Sequence, residues 1–297
     1  TMYKIVKKQM LTPTIFEMKI EAPRIAKSAL PGQFIILRID EKGERIPLTI
    51  SDYDPVEGTV SIVTQAVGKS TMELMGYNEG DYIADFVGPL GCPSDLCDES
   101  PEELAKKNII FVAGGVGAAP IYPQVKWLKQ HGIKADVLIG ARNKDLLILV
   151  DEMKEVAENV YIATDDGTAG FSGRATDLLE DLVKNQGKEY NHAVVIGPMI
   201  MMKFTSMTTK ALGIPTIVSL NPIMVDGTGM CGACRVVVDG EVKFACVDGP
   251  EFDGHKVDYD GAMRRQTMYK TEEGQAKLKF EEGNTHKNGG CGCGGDK

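Results

Sequence analysis

The hydrophobic rhythm of the chain changes twice. Over the first hundred residues apolar positions come in short bursts, at residues 2–8, 14–21, 33–40, 46–51, 58–64 and 81–87. Short runs of this kind, bounded by turn formers, mark strands. Pro31-Gly32, Lys42-Gly43, Glu57-Gly58 and Glu79-Gly80 supply the turns. Six strands at this spacing predict an antiparallel barrel. One helix interrupts them at about residues 69–77, where Gly68, Ser70 and Thr71 precede Met72, Leu74 and Met75.

From residue 101 to about 218 the pattern lengthens. Residues 108–113, Asn-Ile-Ile-Phe-Val-Ala, read as a continuous apolar run, as expected of a strand buried on both faces. Further strands are predicted at 135–140, 160–164, 193–197 and 216–220. A helix-like stretch follows Pro120 to about Gln130, and helices are predicted at about 145–157, 175–186 and 199–212. Five parallel strands with crossover helices make an open α/β sheet. Past residue 221 the alternation of residues 235–245 around Asp239-Gly240 reads as a hairpin. The expected architecture is therefore a β barrel plus α/β. A six-stranded antiparallel barrel spans 1–100, an open parallel α/β domain 101–220 and a small hairpin domain 221–262. A polar C-terminal extension covers 263–297.

Chemistry enters with the cysteines. Cys231, Cys234 and Cys246 stand at C-x2-C-x11-C, with Asp226 five residues ahead of the first. Thiolates are the usual ligands of iron–sulfur clusters. Gly227, Gly229 and Gly232 let the backbone fold tightly around an inorganic core. A zinc knuckle would show a second C-x2-C or a His pair, and a thioredoxin-type pair would open a helix. Neither pattern is present, although zinc and inert thiols remain alternatives. Asp226 is either a carboxylate ligand or half of an ordinary Asp-Gly turn.

The glycines of the α/β region point to a second ligand. Gly114, Gly115 and Gly117 follow the first strand and open a helix, the arrangement that holds a pyrophosphate. Arg142, then Asp165 and Asp166, then Gly197, Pro198 and Met199 fall at the ends of the other strands, where open sheets bind ligands. Asp165 and Asp166 could instead cap a helix or a turn. Arg142 could be solvated, and Met202 is core filler at helical spacing. In the barrel, the helix beginning at Gly68, Ser70 and Thr71 offers N–H groups to a phosphate, although many helices begin this way.

Composition narrows the partners. A net charge of -9 disfavours nucleic acid and anionic membrane. No apolar stretch approaches the ~20 residues of a membrane span, and none near the N-terminus looks like a signal core. A cytoplasmic location is expected. Seven cysteines, an odd number, fit poorly with a secreted disulfide framework. Cys92 and Cys97 read as loop thiols. Cys291 and Cys293 are either a metal pair or plain tail thiols.

A barrel, a dinucleotide domain and D-x4-C-x2-C-x11-C together resemble the ferredoxin–NADP reductase superfamily. Within it the chain resembles the branch that holds the electron-transfer subunit of dihydroorotate dehydrogenase. That subunit has cysteine where this chain has Asp226. The aspartate, with the segment 45–51 and the Cys-Gly-Cys-Gly-Gly tail, narrows the resemblance to electron-bifurcating members that work with NADH, ferredoxin and NADP(H). Some of these are known as sulfide dehydrogenase subunits.

The resemblance covers about residues 2–262. It implies FAD on Ile46, Pro47, Leu48 and Thr49, with Val63, Thr64, Gln65 and Ala66 leading to the Gly68–Thr71 helix. It implies NAD(H) on the glycine loop and a [2Fe–2S] cluster on Asp226, Cys231, Cys234 and Cys246. The family's arginine would stand at position 46; here Arg45 lies one place earlier. A one-residue shift reverses the face of a strand, so Arg45 is either a diphosphate ligand or a surface charge. The implied partner is a larger subunit carrying a flavin and [4Fe–4S] clusters. No catalytic acid or base is expected. An electron-transfer subunit for dihydroorotate or sulfide dehydrogenase, or a redox-sensing module, are the competing readings.

Overall fold

The computed structural model describes residues 2–288. The N-terminal half forms a seven-stranded antiparallel sheet from β1 (Tyr3–Met10), β2 (Ile15–Glu21), β3 (Phe34–Arg38), β4 (Arg45–Asp54), β5 (Thr59–Gln65), β6 (Tyr82–Ile83) and β7 (Asp85–Leu90). Its order is β6-β1-β2-β5-β4-β3-β7. Two short helices attach to it, α1 (Pro23–Ser28) and α2 (Lys69–Met75). The sequence predicts six strands, and the count differs for a physical reason. The segment predicted at 81–87 pairs first with β1, then with β3. One stretch of chain thus joins both edges of the sheet and nearly closes it, which removes exposed edges.

After the short helix α3 (Pro101–Leu104) comes a second sheet. Its strands are β8 (Ile109–Gly114), β9 (Ala135–Ala141), β10 (Asn159–Thr164), β11 (Phe171–Ser172), β12 (His192–Ile196) and β13 (Thr216–Ser219). The crossovers are α4 (Ala118–Gln130), α5 (Val150–Val156), α6 (Ala175–Lys184) and α7 (Met199–Ala211). The order β11-β10-β9-β8-β12-β13 reverses direction between β8 and β12. That reversal is the topological switch point, where open α/β sheets bind ligands.

The rest of the chain is built onto these sheets. A two-stranded hairpin of β14 (Arg235–Val238) and β15 (Glu241–Phe244) turns on Asp239 and Gly240, both at positive φ (55° and 77°). This is the geometry a two-residue hairpin turn requires. Next, β16 (Glu251–Asp253) adds an antiparallel strand to β13. Helices α8 (Tyr259–Gln266) and α9 (Lys270–Asn288) follow. Cys291 and Cys293 lie outside the described residues.

Two apolar cores position the sites. Ile15 and Val63 of the first sheet are buried in one core with Phe111 and Val137 of the second and Ile121 of α4. Lys126 of α4 pairs with Asp52 of β4 at 2.8 Å, tying the same two layers. A smaller core packs Cys234, Cys246 and Met224 against Phe34 and Ile36 of β3. The cysteine loop is therefore seated directly on the barrel. No helix among the described residues is long and apolar enough to cross a membrane.

Candidate functional site

At the switch point the backbones themselves touch. A Cβ on Gly117 would lie 2.1 Å from the carbonyl oxygen of Ile196, so only glycine fits. A Cβ on Gly197 would lie 3.0 Å from Cα of Gly114. These contacts bring the ends of β8 and β12 together and form the floor of a crevice. Gly115, by contrast, has φ +55° and nothing within 4 Å of its would-be Cβ. The space left there, just before α4, suits close approach of a pyrophosphate.

The other predicted residues of this end divide into three groups. Pro198 caps α7, and Met199 and Met202 are buried in the core beneath it (4% and 0% exposed). Asp166 accepts hydrogen bonds from the Thr168 N–H (3.0 Å) and hydroxyl (2.7 Å), which hold its carboxyl below the usual range. It is a turn residue. Asp165 and Arg142 are exposed beside it at the ends of β10 and β9.

In the barrel, Ile46, Pro47, Leu48 and Thr49 are half-buried along β4. Val63 and Thr64 are buried, and the Thr64 hydroxyl has no partner among the described residues. Gln65 and Ala66 are half-buried at the strand end. At α2, Thr71 Oγ1 accepts from the N–H groups of Val67 (3.0 Å) and Gly68 (3.1 Å), so this hydroxyl staples its own helix. Ser70 donates to the Glu44 carboxylate. An oxygen anion thus already sits on the first turn of α2, and a diphosphate would use the same donor chemistry there. The orphaned Thr64 hydroxyl and the open space at Gly68 also fit a bound flavin nucleotide.

The cysteine loop is shaped by its glycines. Gly227, Gly229 and Gly232 all have positive φ (82°, 87° and 67°). A Cβ on Gly227 would come 2.6 Å from Ile36 Cδ1, so the loop is pressed onto β3. Cys234 and Cys246 are buried side by side, the Cys246 N–H reaching Cys234 Sγ at 3.5 Å. Burial and the neighbouring Cys234 push the Cys246 thiol up to about 12. Cys231 is exposed; the backbone N–H groups of Ala233, Asp226 and Val225 lower its thiol pKa against a smaller desolvation penalty. A rim of N–H groups around sulfur is the environment an iron–sulfur cluster needs.

Among the described residues no three His, Cys, Asp or Glu side chains converge on a single-ion site. A two-iron cluster spreads its ligands over two metals, and the three cysteines fit it better than they fit zinc. Asp226 uses one oxygen, Oδ2, to accept from Thr228 N (2.9 Å), Thr228 Oγ1 (2.7 Å) and Met230 N (3.1 Å). Thr228's hydroxyl and these N–H groups hold its carboxyl below the usual range. The turn and ligand readings of Asp226 are compatible, because these bonds leave Oδ1 available.

Arg45 has partners that neither sequence reading named. Its guanidinium donates to the carbonyl oxygens of Val225 (2.6 Å) and Asp226 (3.4 Å). It holds the cysteine loop from a half-buried position. Sequence reasoning also missed Arg265, which donates to the Ala233 carbonyl at 3.2 Å, and Glu251. Glu251 sits where the regions meet: Gln124 of α4 donates to it at 2.7 Å, and Ser94 and Gly32 enclose its carboxyl. Burial pushes that carboxyl up to about 7. No local sequence signal marks these residues, because their partners are distant in the chain.

A nearly closed antiparallel barrel feeding a parallel sheet with a glycine-floored switch point defines a ferredoxin-reductase-type oxidoreductase fold. The cysteine loop makes it a member that also has an iron–sulfur segment. Residues 111–207 match the oxidoreductase NAD-binding domain family, and residues 221–258 match the iron–sulfur cluster binding domain of dihydroorotate dehydrogenase B. The chain belongs to the family of dihydroorotate dehydrogenase B electron-transfer subunits and their homologues.

A Thermotoga maritima protein, the "dihydroorotate dehydrogenase B (NAD(+)), electron transfer subunit homolog", is 47% identical over 94% of each chain. An uncharacterized Clostridium beijerinckii protein is 70% identical over 100% of each. A solved chain of the NADH-dependent reduced ferredoxin–NADP oxidoreductase, described for flavin-based electron bifurcation, is 46% identical. It superposes with a TM-score of 0.86 over 94% of this chain and 98% of its own. A Neisseria gonorrhoeae ferredoxin NADP+ reductase with bound FAD and NADP, at 18% identity and TM-score 0.58 over 72% of this chain and 91% of its own, shares the fold.

Proposed function

We propose that this chain is the electron-transfer subunit of a larger oxidoreductase. It takes reducing equivalents from NADH and hands single electrons, through its cysteine loop, to a partner subunit carrying a flavin and [4Fe–4S] clusters. In the reading favoured here the whole complex bifurcates electrons between ferredoxin and NADP(H), and works in the cytoplasm. The observation that carries it is the seating of the cysteine loop on β3, next to the strand that holds Ile46–Thr49. The site for one-electron chemistry is thereby built against the site for hydride chemistry.

Bound FAD would supply the conversion between two-electron and one-electron transfer, and a bound [2Fe–2S] cluster the one-electron outlet. The chain's own residues do the rest. Gly114, Gly115 and Gly117 let a dinucleotide approach the backbone. Asp165, exposed at the end of β10, disfavours a 2′-phosphate and so selects NADH. Thr49 presents a hydroxyl from the flavin strand. Cys231, Cys234 and Cys246 hold the cluster with Asp226 as fourth ligand. Exposed Val225, Met230 and Val247 surround that loop and offer the partner an apolar landing. We divide these roles at about residues 100, 220 and 262.

A second reading, service to a dihydroorotate or sulfide dehydrogenase, differs only in the partner. Asp226 in place of the cysteine of dihydroorotate enzymes favours the first. The test is an electron paramagnetic resonance spectrum of the anaerobically purified chain before and after NADH. A rhombic signal of a reduced two-iron cluster that grows with NADH is expected. Zinc in place of iron, or iron that NADH cannot reduce, would overturn the proposal. Co-purification of the large subunit then separates the two partners.

A further inference from the structure

Two arginines grip the cysteine loop from outside it. Arg45 opens β4, and its guanidinium reaches two consecutive carbonyls, Val225 and Asp226, at the loop's entry. Arg265 belongs to α8 and donates to the Ala233 carbonyl, between Cys231 and Cys234. The loop is thus pinned at both ends by cations from separate elements. The charge of Arg45 also reaches the Asp226 carboxylate, which it helps to keep ionised. The neighbour of Arg45 reaches the other way: Glu44 accepts from Ser70 at the start of α2. Two adjacent residues therefore couple the helix proposed to hold the diphosphate to the loop proposed to hold the cluster.

We infer that Arg45, assisted by Arg265, is a positioning residue that fixes the cluster loop on the barrel and raises the reduction potential of the cluster held there. The inference rests on the reading that Cys231, Cys234 and Cys246 bind an iron–sulfur cluster. Its physics is direct. Three thiolates and a carboxylate make an anionic site, and reduction adds one more negative charge. Nearby cations stabilise the reduced form, and net charge is one of the determinants of cluster potential. A guanidinium is permanently charged and presents several donors in a fixed fork, so it both orders a loop and keeps its charge there. Carbonyls pinned toward the arginines also leave the N–H groups of the loop free to face the sulfurs.

The test uses the full chain with its cluster, comparing wild type with Arg45→Gln, Arg45→Lys and Arg265→Gln. Three quantities are read: midpoint potential by mediated titration with magnetic resonance detection, flavin and iron content, and amide hydrogen exchange across residues 225–233. Arg45→Gln is expected to make the cluster about tenfold harder to reduce, a shift of about 59 mV to lower potential for one electron. Exchange across the loop should quicken while flavin content holds. Arg45→Lys should recover the potential more fully than the exchange protection, because it restores charge without the fork. Arg265→Gln should lower the potential in the same direction.

Loss of flavin with an unchanged potential would overturn the inference and return Arg45 to the diphosphate. Unchanged potential and exchange would overturn it as well and leave a surface charge. A wild-type chain with no reducible cluster would fell the functional reading, and the inference with it.

Discussion

The switch-point crevice and the cysteine loop are both glycine-rich, yet they are held in shape by opposite means. In the crevice Gly117 and Gly197 are fixed by exclusion, and only Gly115 by a left-handed φ. Gly117 has an ordinary helical φ of -59°, and it is glycine only because Ile196 leaves no room. In the loop all three glycines are fixed by conformation, with φ between 67° and 87° at positions 227, 229 and 232, and only Gly227 is also hemmed in by Ile36. The crevice needs no side-chain bonds to keep its form. The loop depends on Arg45, Asp226 and Arg265 for polar anchors. A preformed backbone cradle suits a diffusible dinucleotide that comes and goes. An anchored loop suits a group that must stay and be tuned.

The crevice end of this comparison gives the largest expected effect. Gly117→Ala puts a methyl 2.1 Å from a backbone oxygen that cannot rotate away, so the strands must part. Overpacking of this kind should cost about 3 kcal/mol. Gly115→Ala meets nothing within 4 Å and pays only for its left-handed φ, about 1 kcal/mol. Denaturant midpoints should separate the two variants clearly, while both should weaken NADH binding in a fluorescence titration. Equal midpoints would mean that the floor of the crevice can relax and that exclusion does not shape it.

That contrast also explains what the sequence made legible. The β8 run, its Gly-Gly-Val-Gly turn and α4 are local: pattern and ligand geometry lie within twenty or so residues of each other, and strand and helix periods expose them. The hairpin turn at Asp239-Gly240 is equally local. Arg45 is not. Its partner Asp226 is 181 positions away, so the one-residue offset from the family pattern could be read only as a diphosphate ligand or a surface charge. The seventh barrel strand escaped for a related reason, since the break between Ile83 and Asp85 is set by two different neighbours. Helix α9 shows the limit of composition. Residues 270–288 are polar, but Glu, Lys, Gln, Ala and Leu are good helix formers, and polarity hides that preference.

Glu251 lies between the two regions, and pH should expose it. The folded chain holds its proton up to about pH 7, whereas an unfolded glutamate releases it near 4.5. Between those values the folded state binds more protons, so stability falls as pH rises through the window. Allowing for the residue's partial exposure, the loss should be about 2 kcal/mol between pH 4.5 and 8. Glu251→Gln keeps the acceptor for Gln124 and removes the titration. Thermal melts of the variant should be flatter over this range, and higher than wild type at pH 8. A wild-type profile that rises with pH would contradict the enclosed carboxyl.

Asp226 gives the smallest effect on stability and the sharpest on chemistry. Its Oδ2 caps the loop through three donors, and the residue is half-buried. Asn at this position keeps an oxygen acceptor for that turn but cannot serve as an anionic ligand. Ala loses both. If the two roles coexist, Asp226→Asn should melt at the wild-type temperature, yet lose iron or change its magnetic resonance signal. Asp226→Ala should do the same and also quicken exchange at Thr228 and Met230. Asp226→Cys should keep iron while moving the signal toward that of an all-thiolate cluster, because the change restores the donor of the dihydroorotate enzymes. An Asn variant with full iron and an unchanged spectrum would confine Asp226 to the turn. The loop would then owe its shape to the aspartate and its cluster to the cysteines and one other donor.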